Sequence, residues 1–283
     1  MNAQSGFVAL LYIVFLAAVV SMTTGVLVAH LEQGGVLLRG TGQSWAASQQ
    51  AQLQGLQKLL AMWYAENAWS LDSQVNPAGL PVLLSRTGIS APSGMAGAMS
   101  NLIVTNGIGY HVIAIWFPVP GAIGTGIDPV TGIFHAGTVN GQLANTPFAL
   151  VSGFPIEAEL VQKTRVNLDH LADDLAIYYT IRQAADADLD TEKNWFRDAQ
   201  CSMTSLALPC YGNSSGVSAA IPVLQTDLAR RTGLSSQDET TGWGASSPIL
   251  INNYSINQNA PYQVALYAAL PWGGYLTVQA VSG

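Results

Sequence analysis

The sequence predicts an α+β protein: a long apolar N-terminal helix, then a head in which helices pack on antiparallel sheet, with signs of two tandem modules. Three observations predict it. Residues 7–29 run for 23 positions without a charge. Two later stretches, 43–69 and 155–185, repeat apolar residues at spacings of three and four, the helical period. Residues 87–156 hold one charge, Asp128, and their apolar runs are broken by Gly and Pro, which suits short strands. The boundaries that follow are 1–6, 7–29, 30–154 and 155–283.

The apolar run, Phe7 to Ala29, is long enough as a helix to cross a hydrocarbon core of about 30 Å. A cleaved secretory signal fits less well, because Met1–Gly6 has no Lys or Arg and the run exceeds a signal core of about 7–15 residues. Leu27-Val28-Ala29 would serve only as a weak cleavage site for that alternative. Gly34-Gly35 and Gly40-Thr41-Gly42 then interrupt the helix. In the first amphipathic stretch Leu53, Leu56, Leu60 and Trp63 form one face, with glutamines and Lys58 on the others. Strands are predicted at 101–106, 109–117 and near 131–135. Pro155 and the acidic pair Glu157 and Glu159 open the second helix, where the dipole favours negative charge. Its inward stripe reads Leu160, Thr164, Leu168, Leu171, Leu175 and Tyr178. A short helix around 221–232 and strands near 248–253, 261–268 and 273–280 complete the chain.

The two halves echo each other in order. Leu60-Ala61-Met62-Trp63-Tyr64 matches Leu175-Ala176-Ile177-Tyr178-Tyr179, and Pro81-Val82-Leu83 with Arg86-Thr87-Gly88 matches Pro222-Val223-Leu224 with Arg231-Thr232-Gly233. Tyr110-His111-Val112 has its partner in Tyr262-Gln263-Val264.

Composition excludes some functions. Lys and Arg total 10 against 17 acids, for a net charge of −7, so no basic face exists to neutralise phosphates and nucleic acid is not an expected partner. With 49% hydrophobic and 10% charged residues the chain is not a disordered acidic tail.

Gly6-Phe7-Val8-Ala9-Leu10, behind a six-residue leader and ahead of the uncharged run, resembles the N-terminus of a type IV prepilin. The resemblance implies cleavage after Gly6 by a prepilin peptidase, methylation of the new amino group on Phe7, storage in the inner membrane, and assembly with other pilin subunits through the N-terminal helix. It implies a pilin-like head, duplicated here, and a final place in an extracellular pilus or periplasmic pseudopilus. Two positions depart from the family: Leu11 stands where major subunits carry Glu at the fifth mature position, and the leader lacks a cation. Leu11 resembles certain minor or tip subunits, which have no neighbouring amine above them to pair; an unpaired carboxylate buried there would only cost energy. In the second half, Leu168 to Tyr179, Leu206 to Cys210 and Thr241-Gly242-Trp243-Gly244 are similar to later pilin segments.

Cys201 and Cys210 are the two cysteines, and outside the cytoplasm a disulfide closing that short loop is expected, with buried free thiols as the alternative. Asp186, Asp188 and Asp190 open like a calcium loop but lack the Gly at loop position 6 and the acid at position 12; a solvated turn is the simpler reading. The histidines His30, His111, His135 and His170 are dispersed, and no nucleophile elbow, phosphate loop or zinc motif occurs, so neither a cofactor nor catalysis is expected. His170 with Asp174 reads as a helix-surface pair. Trp116, Phe117, Trp243, Tyr254, Tyr262, Tyr267, Trp272 and Tyr275 gather near strand ends, where rings either fill core or bind a surface or glycan. A single-pass envelope protein with an outer partner- or glycan-binding domain is the alternative to a filament subunit, and an anchored hydrolase is the third reading.

Overall fold

The computed structural model describes residues 42–74, 84, 92–186, 194–196, 217–223, 232, 240–252 and 261–282. The chain divides into two compact units, Met1–Ser48 and Gln49–Gly283. In the first, the described residues are the opening turns of helix α1 (Gly42–Asp72), where Ala47 and Ser48 are exposed. Everything below lies in the second.

Helix α1 buries Leu53, Leu56, Leu60, Tyr64, Ala68 and Leu71, one stripe at helical spacing. That stripe lies on the sheet β1 (Ala96–Met99), β4 (Val112–Trp116) and β8 (Phe148–Ser152), in the order β1-β4-β8, all antiparallel. Alternate residues Ile113 and Ile115 of β4, with Phe117 beyond it, and Ala149 and Val151 of β8 meet the helix in one core. Strand β4 is buried at all five positions rather than alternately. Its other face is covered too: Trp116 packs on Phe134 at 5.5 Å between ring centroids, and Phe134 stacks on Phe148 at 4.3 Å. Phe134 comes from the sheet β5 (Ile123–Ile127), β6 (Phe134–Val139) and β7 (Gln142–Leu143). A separate hairpin pairs β2 (Ile103–Thr105) with β3 (Ile108–Tyr110).

Helix α2 (Phe154–Ala184) buries Thr164, Leu168, Leu171, Ala172, Leu175 and Tyr179. It faces a sheet of β9 (Ile221–Pro222), β10 (Thr240–Thr241), β11 (Gly244–Asn252), β12 (Gln263–Ala269) and β13 (Tyr275–Val281). Ile249 and Ile251 of β11 and Val264, Leu266 and Ala268 of β12 build this second core with the helix stripe.

These elements correct the expected fold class. The described fold is β-rich, with four antiparallel sheets and two long helices, and no long apolar N-terminal helix is among its elements. No helix among the described residues is long and apolar enough to cross a membrane; the run 7–29 lies outside them. The segment between 96 and 152 holds eight strands in three sheets where three strands were expected. Its strands are two to six residues long, too short for periodicity to register, and Gly-rich turns join them. Residues 221–222, expected to open a helix, are strand β9 paired with β11; 224–231 lie outside the described residues.

Candidate functional site

The densest polar cluster forms where α1 ends and α2 begins. Tyr64, Asp72, His111 and Glu157 are each 0% exposed. The closing turns of α1 bring Tyr64 and Asp72 to one side, eight residues apart, and the Tyr64 hydroxyl donates to the Asp72 carboxylate at 2.6 and 2.8 Å from its two oxygens. The same hydroxyl accepts the backbone N–H of His111 at 2.9 Å, at the start of β4. His111 Nδ1 lies 2.9 Å from the Ser100 carbonyl and Nε2 3.0 Å from the Gln74 carbonyl, with Asp72 Oδ1 at 3.6 Å from Nε2. Both ring nitrogens therefore face acceptors; a neutral ring donates to one, and an imidazolium to both.

Glu157 reaches the cluster from the first turn of α2. Trp243 Nε1 donates to its Oε2 at 2.9 Å. Its Oε1 meets no N–H or O–H donor, and the neighbouring group is the Asp72 carboxyl. Protonated, Glu157 is able to donate to the Asp72 carboxylate. Burial, then that hydrogen bond and the Asp72 charge, push Glu157 up to about 9. Asp72 is likewise raised by burial, although Glu157, then Tyr64 and His111, oppose the shift. Two interacting buried carboxyls titrate as a unit, and burial moves both toward the protonated form. The Tyr64 hydroxyl is held well above its ordinary range, first by burial and then by Asp72.

Backbone fits close around the cluster. A Cβ on Gly153 would collide with the Tyr64 hydroxyl, and one on Gly242 with the Leu160 backbone of α2. Gly153 N–H donates to the His111 carbonyl at 2.9 Å, and Gly242 N–H to Thr164 Oγ1 at 2.7 Å. The turn carrying Trp243 is thereby locked on α2 while its indole is fixed by Glu157.

On the outer side of Trp243 lies an open groove of about 270 Å³, lined by residues 65–70 of α1 and Trp243. Trp69 meets Trp243 edge-on at 5.9 Å, and Trp243 meets Trp272 at 6.0 Å. Trp272 Nε1 donates to the Gly107 carbonyl at 3.0 Å.

The residues singled out in the sequence fall elsewhere. Gly6, Phe7, Cys201, Cys210, Asp188, Asp190 and Tyr254 lie outside the described residues. Asp186 is half-buried just past the end of α2, and no group of three or more His, Cys, Asp or Glu side chains able to hold a metal occurs among the described residues. His170 and Asp174 are both exposed on α2, and His135 is exposed on β6. Asp128 caps its own turn, its Oδ1 accepting the N–H of Val130 at 2.7 Å and of Thr131 at 3.0 Å, and these bonds lower its carboxyl. Of the aromatic group, Trp116, Phe117 and Tyr262 are core, whereas Trp243 and Trp272 are half-exposed and Tyr275 is exposed. Asp72 and Tyr64 carried no sequence signal as site residues, and Glu157 read only as a dipole-matched helix opener. Comparison of the chain with protein-family models, with curated proteins and with solved structures finds no match.

Proposed function

We propose that this chain is a structural subunit of a type IV pilus-like filament, a minor or tip subunit, held in the inner membrane before assembly. One observation carries the reading: Gly6 followed by 23 uncharged residues, Phe7 to Ala29, that lead toward α1. An uncharged helix can pass from lipid to a bundle of like helices with little change in surroundings. The exposed surface of the head adds support. Ile123, Val130, Ile133 and Leu143, each at least 58% exposed, lie in a region whose one charge is Asp128. Such a surface suits cover by a neighbouring subunit.

The carboxyl pair supports a structural rather than a catalytic role. Its members are sealed from solvent, and their hydrogen bonds join α1, β4, α2 and the Trp243 turn. The proposed partners are other filament subunits and a prepilin peptidase. Replacing Gly6 tests the reading in the native cell: Gly6→Val is expected to leave the leader attached and the chain in the membrane, and normal processing of that variant would contradict it. The second reading, an anchored envelope protein that binds a partner or glycan, is favoured by the half-exposed tryptophans around the groove.

A further inference from the structure

We propose that the groove between residues 65–70 of α1 and Trp243 binds a neutral sugar ring. The inference stands apart from filament assembly, since the groove would serve an anchored protein equally. The Trp243 indole N–H is held by the buried Glu157 and its turn by Thr164, so the ring is fixed before any ligand arrives. Trp69 and Trp272 brace it from two sides, each edge-on. A fixed, half-exposed indole is a platform for the C–H face of a sugar, and it loses little freedom on binding.

The polar lining narrows the ligand class. Asn67 Nδ2 donates back to the Trp63 carbonyl at 2.8 Å, and the Ser70 hydroxyl to the Asn67 carbonyl at 3.0 Å. With the Ser70 hydroxyl and one Asn67 N–H engaged, the ridge offers three acceptors, the Glu66 carboxylate, Asn67 Oδ1 and Ser70 Oγ, against one remaining Asn67 N–H. An acceptor ridge asks for a ligand rich in donors. Glu66 is the one charged residue in the lining, which opposes phosphates, uronic acids and other anions. The ridge from Glu66 to Ser70 extends along about 6 Å of helix axis. That length suits several hydroxyls spread over a ring better than one ammonium group. A volume of about 270 Å³ holds a single sugar residue, and the open side leaves room for a longer chain to pass.

The test uses the full chain in a detergent whose headgroup is neither a sugar nor a quaternary amine. Glucose, galactose, mannose and N-acetylglucosamine are titrated separately to 50 mM while the indole N–H signals of Trp69 and Trp243 are followed by NMR. At least one sugar should shift both signals saturably. Glu66→Gln and Ser70→Ala, both on exposed positions, should each weaken that sugar several-fold without changing the melting temperature. Trp69→Ala should abolish the response. No saturable shift with any of the four sugars would overturn the proposal, as would binding that Glu66→Gln and Ser70→Ala leave unchanged. A response to tetramethylammonium or lysine in place of sugars would also overturn it. None of these outcomes bears on cleavage at Gly6, so the two readings fail separately.

Discussion

Glu157 sits at 0% exposure in the first turn of a helix, where its charge would be favoured by the dipole, yet burial and Asp72 hold its proton up to about 9. The folded value lies above the ordinary 4.5, so the native state binds this proton more tightly than the unfolded chain does. The pair's contribution is complete below about pH 4.5 and is lost as pH rises through about 9. Chemical denaturation from pH 5 to 9 should therefore show stability falling by several kcal/mol across the range, on the order of one pKa unit per 1.4 kcal/mol. Glu157→Gln keeps an acceptor for Trp243 and a donor for Asp72; it should be neutral within about 1 kcal/mol near pH 6 and flatten the fall above it. A slope unchanged in this variant would show that the proton is held elsewhere. Tyr64 is the second residue at this scale. Tyr64→Phe strands the His111 N–H and one carboxylate, and a loss of about 2–3 kcal/mol is expected in urea unfolding.

At the scale of elements, each long helix lies on its own antiparallel sheet, and the helices meet at the cluster. Gly153 marks that meeting, because the backbone before α2 passes directly over the Tyr64 hydroxyl. Gly153→Ala must displace Tyr64 or the helix start, with an expected loss of about 1–3 kcal/mol and a lower melting temperature. The helices were legible in the sequence because 31-residue amphipathic elements repeat their apolar stripe many times over. The stripe of α2 was legible too, apart from its two ends: Leu160 is half-buried and packs on the first core, and Tyr179 is buried where the pattern named the half-buried Tyr178. The sheets between 96 and 152 were legible only in part: the strands expected at 101–106 and 109–117 fall on β2, β3 and β4, whereas β1, β5, β7 and β8 went unread because they are short and joined by Gly-rich turns. The cluster was illegible for another reason. Tyr64, Asp72, His111, Glu157 and Trp243 come from four separate segments, and only the crossing of α1 and α2 with β4 brings them together.

At the scale of the whole molecule, the shortage of charge has a location. The region 87–156 carries one charge, and it leaves Ile123, Val130 and Leu143 more than 70% exposed. In the filament proposed above, these side chains are the expected contacts of a neighbouring subunit. Ile123→Lys with Leu143→Lys changes no buried contact, so the melting temperature should move little. Concentration-dependent association, read by sedimentation, should fall; association that is undiminished would remove this region from the assembly surface.

Whether the chain is processed and stored as a filament subunit is decided by intact-mass and N-terminal analysis of the protein recovered from its own cell. Residues 1–6 are expected to be missing and the amino group of Phe7 methylated. A retained leader, or cleavage near Ala29, would contradict that reading.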